Sequence, residues 1–419
     1  MRPAIRPARP PGWHMDPTYP VTPTKTTNCQ TGPGLACQGA GNIGRTDVRT
    51  QIVSIEDISA SQIVQWNRWA CPNGKLVSPY LRFEFAETVA RARNDVRIAI
   101  IEDAGDTIGF FPHHKAHGGI VRPVGAPMSD YQGVLAADPA SISAQALARA
   151  AGGSALVFDN WHGPMADHQR HNGTQCGSHV AAVGDDGARF LGERRALHKD
   201  HFKKTARRQR AAERDFGPVR VTLGDPDGRA FAALSEWKQA QYRDTGKLNV
   251  FGIDWVQSVL GDLRAREGQE FSGLTAALWF GDRLAAVEFG LVAGDIYHSW
   301  FPAYDPELAR YSPGLLLLHG LFEQAPERGL SRIDLGHGGD HYKKYYSSYA
   351  VPLGQGRVLA PGLAALGIRT WELAEQAVER VPGKVGALPG RLRRRWAQVS
   401  AFEPQLAPRL ASFTGSIAL

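Results

Sequence analysis

Between residues 296 and 349 the spacing of apolar and polar positions changes period twice. A β-branched and aromatic run at 296–301, bounded by Pro302 and by Asp305-Pro306, predicts a strand. Ser312 before Pro313 predicts a helix start. Ser312 can cap free N–H groups, and Pro313 fits the first turn, where its missing N–H is harmless. The apolar run 315–322 continues this helix and Gly329 closes it. Residues 331–335 predict a second strand, and 336–339 a glycine-rich turn. A helical stretch follows, with Tyr342, Tyr345, Tyr346 and Tyr349 on one face. Strand, helix and strand in that order form a βαβ unit. Its helix N-terminus gathers unpaired N–H groups and partial positive charge, a seat for phosphate.

Upstream, 274–280, 284–292 and 296–301 predict three strands joined at Gly281-Asp282 and Gly294-Asp295, an antiparallel meander. Helices are expected at 231–242 and 253–267. In the first half, 54–69 has helical spacing, 96–101 and 107–111 read as a hairpin, 125–134 as a loop, 141–151 as a helix and 155–158 as a strand. The basic run 199–214 predicts a linker helix. The division expected is an arm at 1–47, units at 48–197 and 218–360 joined by 198–217, and a tail at 361–419 with a helix at 363–381 and the run RLRRRW at 391–396. The arm is rich in Pro, Gly, Thr and Arg and offers little apolar surface to offset ordering.

Several motifs occur in order: Tyr304-Asp305-Pro306-Glu307, Tyr311-Ser312-Pro313-Gly314, Asp334-Leu335-Gly336-His337-Gly338 and Tyr342-Lys343, preceded by WKQAQY at 237–242 and GDRLAA at 281–286. Together they resemble the CelD-like (BcsL-type) acetyltransferases of the GNAT superfamily, over roughly residues 200–360 and more loosely 50–190. The resemblance implies a mixed α/β (α+β) fold of tandem GNAT-like acyl-CoA N-acyltransferase domains, with mixed sheets flanked by helices, as in the FemABX arrangement. It implies acetyl-CoA or another acyl-CoA as donor and an amine as acceptor, in envelope polysaccharide synthesis.

A chain of 419 residues with 43% hydrophobic and 21% charged residues is ordinary for a globular protein of two or three domains. The net charge of +7 favours anionic partners such as CoA phosphates, an anionic membrane surface or a polyanionic glycan; DNA is not expected. Cys29, Cys37, Cys71 and Cys176 show no metal or CxxC spacing and read as free thiols. No apolar run approaches the ~20 residues of a membrane span. The arginines near the N-terminus precede no apolar core, so no secretory signal is expected; Met15 is an alternative start. The expected location is cytoplasmic, with peripheral contact at the inner face of the membrane through the basic tail. The histidines at 113–117 and 162–171 lack a partnered carboxylate or Cys cluster in sequence, so no metal site is expected.

Acyl transfer needs a hold on the donor, a base for the amine, an oxyanion donor and an acid for the thiolate. Arg310, Tyr311, Ser312, Gly314 and Leu315 at the helix start are the candidate CoA site, although the generic superfamily spacing of an Arg or Gln before two glycines is absent there. Glu288 is the first candidate base, because strand alternation puts it with the small residues Ala286 and Gly290. Asp334 and Asp340 are its rivals. Tyr342 is the candidate acid, and Lys343 a partner for phosphate or for Asp334. Asp130, Tyr131, His298, His337 and Asp340 are candidate acceptor contacts. Three functions stay open: an acyl-CoA-dependent N-acyltransferase, a FemABX-like transferase using aminoacyl-tRNA, and a non-catalytic module at the membrane surface.

Overall fold

The computed structural model describes residues 48–165, 174–266, 268, 270–338, 341–362, 396 and 399–403. The expected arm and tail helix lie outside them. So do Asp340 and, apart from Trp396, the basic run at 391–396.

The first half runs β1 (Val48–Val53), α1 (Ala60–Trp69), α2 (Phe83–Ala92), β2 (Val96–Asp103), β3 (Asp106–His117), β4 (Ile120–Pro123), β5 (Leu135–Ala136), α3 (Ala144–Ala150), β6 (Ala155–Trp161) and β7 (Thr174–Ala182). Two helices, α4 (Gly187–Leu197) and α5 (Lys199–Phe216), lead to the second half. It runs β8 (Val219–Leu223), α6 (Arg229–Asp244), α7 (Asp254–Ala265), β9 (Ser272–Phe280), β10 (Arg283–Ala293), β11 (Ile296–Tyr304), α8 (Pro313–Gln324), β12 (Arg332–His337), α9 (Lys343–Tyr346) and β13 (Tyr349–Leu359).

Apart from the short β5, each half repeats one order: a strand, two helices, three antiparallel strands, a helix, and a strand parallel to the third of those three. The parallel pairs are β4 with β6 and β11 with β12. The last strands are exchanged. β7, from the first half, pairs with β12, whereas β13, from the second, pairs with β6, and the two pair with each other at the centre. One mixed sheet therefore runs through both halves in the order β1-β2-β3-β4-β6-β13-β7-β12-β11-β10-β9-β8.

Two apolar layers cover it. On one face Val287, Phe289, Leu291 and Trp300 pack with α2, α6 and α7; on the other Ala286, Val292, Tyr297 and Ile333 pack with α8. Alternate residues of β10 and β11 point to opposite layers, as the pleat requires.

Local rules explain most element ends. Ser59 caps α1 by accepting from the Gln62 N–H, and Gln62 returns the bond. β11 continues through Pro302 to Tyr304, beyond the expected end. It pairs on one side only there, so a missing N–H is tolerated. The basic helix α5 is more than a solvated linker: it buries Phe202, Thr205 and Ala212, while Lys203, Lys204, Arg207, Arg210 and Arg214 face solvent. The expected stripe of four tyrosines is shorter, because α9 is a single turn and Tyr349 opens β13, exposed.

Candidate active site at the parting of two parallel strands

β11 and β12 pair over only three positions, Ile296 with Arg332, Tyr297 with Ile333 and His298 with Asp334. Beyond them β11 keeps to β10 while β12 turns away, and the two strands part. In the first half β4 and β6 part after two positions, but the loop at 124–134 closes that gap. Gln132 donates its N–H to the Asn160 carbonyl at 2.9 Å and accepts from His162 N–H at 2.6 Å. The same loop carries Asp130 and Tyr131 across to the second half.

His298, wholly buried, sits at the parting point. Its Nε2 is 2.9 Å from Asp130 Oδ2 and its Nδ1 3.3 Å from Asp334 Oδ2. Asp334 also accepts from the Tyr131 hydroxyl at 2.6 Å, the Ser178 hydroxyl at 2.5 Å and the Gly336 N–H at 2.9 Å. Burial alone would lower His298, but the carboxylates of Asp334 and Asp130 outweigh it and push it up to about 9. The imidazole is therefore charged at neutral pH. Burial would raise both acids, yet His337 and His298 hold Asp130 well below the usual carboxylate range, and His298, Ser178 and Tyr131 hold Asp334 down.

Gly336 and Gly338 have φ of 78° and 106°, so the turn after β12 needs residues free of Cβ strain. A Cβ at Gly336 would stand 3.5 Å from Asp130 Oδ2 and 3.7 Å from the Ser299 carbonyl, which puts the Asp130 carboxylate in the gap itself. Lys343 is buried and donates to the Gly336 carbonyl at 3.3 Å and the His337 carbonyl at 2.7 Å. It braces the turn through these two bonds.

The other candidates are dispersed. Glu288 is buried on the α8 face, beside Ser299 and Tyr297, with Oε1 unpartnered, and burial raises its carboxyl. The space over Gly290 is taken by the Tyr297 ring. Ser312 does not cap α8: its φ of 53° is left-handed, and its side chain bonds no helix N–H. Capping needs an extended Ncap, so the helix start keeps its N–H groups uncapped by that side chain. Tyr311 is buried between Phe216 and Phe280 and donates to Asp215 at 2.6 Å, so it is part of the core. Arg310 is exposed beside the same carboxylate. Gly314 and Leu315 are half-buried at the helix start. Tyr342, half-buried, packs against the α8 layer at the start of α9.

Two further groups lay outside the sequence reading. The Tyr80 ring stands edge-on to His298 at 4.9 Å, and its buried hydroxyl has no partner. Ser178 binds Asp334 from β7. Neither has a sequence signal, since both arrive through strand order. In space Asp95, from the loop before β2, lies 3.1 Å from His114 and 3.4 Å from His117. Among the described residues no cluster suited to a metal occurs.

Residues 199–344 match the family model of the acetyltransferase (GNAT) domain. The chain carries a GNAT acetyltransferase domain. It is thereby an N-acyltransferase, of a family that uses acyl-CoA donors and amine acceptors. The matched segment begins at Lys199 and so includes α5. No curated protein matches the sequence. Among solved structures, FemX is similar at 11% identity over 74% of this chain and 96% of its own, with a TM-score of 0.45. A tandem GNAT protein from the clavulanic acid biosynthesis pathway is similar at 11% identity over 75% and 99%, with a TM-score of 0.43. No described helix is long and apolar enough to cross a membrane.

Proposed function

We propose that the chain transfers an acyl group from acyl-CoA to a primary amine in the gap between β11 and β12. The observation that carries this is the parting of the two parallel strands immediately beyond His298 and Asp334, with α8 starting just after β11. Parted strands expose backbone N–H and C=O groups that a pantetheine amide can pair with. The start of α8 offers dipole charge to the pyrophosphate, with Arg310 exposed in the turn before it. The donor then lies on the α8 face and the acceptor on the opposite face, where Asp130 stands in the gap and favours a cationic amine. The resemblance to CelD-like acetyltransferases supports an acceptor from envelope polysaccharide synthesis and acetyl as the group moved. Units at 48–197 and 218–360 fit this reading, the first lending its loop to the active site of the second. Tyr342, on the donor face, is the proposed acid for the leaving thiolate.

Calorimetric titration with acetyl-CoA tests the reading directly, and saturable binding is expected. Gly314→Arg should weaken that binding at least tenfold with an unchanged unfolding midpoint, because a long side chain covers the helix start. Unchanged affinity in that variant removes the helix start from the site. Tyr342→Phe, which loses only a hydroxyl, should slow transfer with no change in melting temperature. A lower melting temperature with normal turnover makes Tyr342 a packing residue instead.

A further inference from the structure

Acyl transfer at this gap needs a group to take the amine's proton, and most of the acids and bases around it are already engaged. Asp334 is 2% exposed and its two oxygens receive three hydrogen bonds as well as the His298 charge. His298 is unexposed, and each of its nitrogens faces a carboxylate. Glu288 lies on the opposite face of the sheet, under Tyr297 and Ser299. His337 differs from them. Its side chain is 32% exposed at the open end of the gap, and its Nδ1 is 3.5 Å from Asp130 Oδ1. Its backbone is pinned by Lys343.

We propose that His337, oriented by Asp130, is the base that takes the proton from the acceptor amine. This rests on the acyl-transfer reading. A proton on the Nδ1 that lies 3.5 Å from Asp130 leaves the lone pair on Nε2 for an incoming nucleophile. The ion pair of His298 with Asp130 and Asp334 holds the Asp130 carboxylate in place, so Asp130 and His298 are positioning residues. In the step, the ammonium held near Asp130 gives a proton to Nε2 of His337, the freed amine nitrogen bonds to the thioester carbonyl carbon, and its second proton passes to solvent. The C–S bond breaks, sulfur leaves with the electron pair, and the thiolate is protonated by Tyr342 or solvent. His337 then releases its proton to solvent, and solvent restores the hydroxyl of Tyr342 where that group has protonated the thiolate. The charged or titratable groups facing His337 are Asp130, Lys343, His298 and Asp159; burial would lower the imidazole, but Asp130 raises it above the ordinary histidine range.

The test follows thiol release from acetyl-CoA by the full chain, with glucosamine and ethanolamine as acceptors and with water as a slow one. His337→Gln should lower kcat by about 10²-fold or more, the usual size of a general-base effect, with acetyl-CoA affinity unchanged by calorimetry. Imidazole added to His337→Ala should restore part of the turnover, which a structural role does not allow. Asp130→Asn should move the acidic limb of kcat/KM to lower pH, because the group that raises His337 is gone. Normal turnover in His337→Gln, or a comparable loss confined to Glu288→Gln, overturns the assignment while leaving acyl transfer intact. Absence of acetyl-CoA binding by the unmodified chain overturns the acyl-transfer reading, and the assignment with it.

Discussion

Replacing Asp334 with alanine should destabilise the protein by about 3–5 kcal/mol, the range for removing one partner from a buried ion pair. The carboxylate is 2% exposed, and its loss strands the Tyr131 and Ser178 hydroxyls and the Gly336 N–H as well as one side of a charged, buried His298. These groups come from both halves, so the loss loosens the contact between them and the geometry of the gap. The effect should depend on pH in a defined way. His298 is raised in the folded state from 6.5 to about 9, so its contribution is complete below 6.5 and is lost as pH climbs through about 9. Asp334 is lowered, so its contribution holds above the ordinary carboxylate range and is lost only as pH falls through its depressed value. The difference between wild type and Asp334→Ala, read by urea unfolding, should therefore be largest near pH 5–6 and shrink by pH 10. A difference that stays constant from pH 6 to 10 removes His298 from the ion pair.

Gly290→Ala should be nearly as damaging, by about 3 kcal/mol, at the upper end of overpacking costs. A Cβ at that position would stand 2.3 Å from Cζ of Tyr297 and 2.4 Å from the His298 carbonyl. The first is a ring held in the α8 layer and the second is backbone of the neighbouring strand, so neither yields cheaply. Gly290 lies at the shift in register between β10 and β11, next to the pairs that hold His298. Relieving the clash pushes β11 away from β10 and displaces His298 toward the gap. Urea unfolding gives the stability loss, and calorimetry with acetyl-CoA should show weaker binding in the folded variant. A variant as stable as wild type shows that Tyr297 can move aside.

Most single elements were legible because local chemistry decides them. The meander at β9, β10 and β11 follows from alternating apolar runs separated by Gly281-Asp282 and Gly294-Asp295, and the glycines take the positive φ such turns need. α8 follows from its apolar run after Pro313. Ser312 was misleading, since a serine before a helix usually caps it; here the preceding turn from Pro306 to Tyr311 forces it left-handed. The tyrosines after β12 misled for a similar reason: helical spacing over eight residues does not show that the helix persists, and β13 claims Tyr349 for the sheet.

By itself the sequence determined the class and order of most elements, though not of α2, β7 or β13, and it named candidate residues, among them Asp130, Tyr131, His298, Asp334 and His337. Helix and strand period, turn residues and motif order are properties of neighbours along the chain. Only the tertiary structure decided which of those residues meet. Asp130 and Asp334 are 204 positions apart, and nothing local relates them. They converge on His298 because β7 and β13 change places between the halves and the loop after β4 crosses to the second half. Register does the rest: one step along β10 separates Glu288, under Tyr297 on the α8 face, from Phe289 on the face where Asp130 and His298 lie. Strand order, exchange and face are settled by packing both apolar layers of a single sheet, a condition on the whole chain that no local pattern carries.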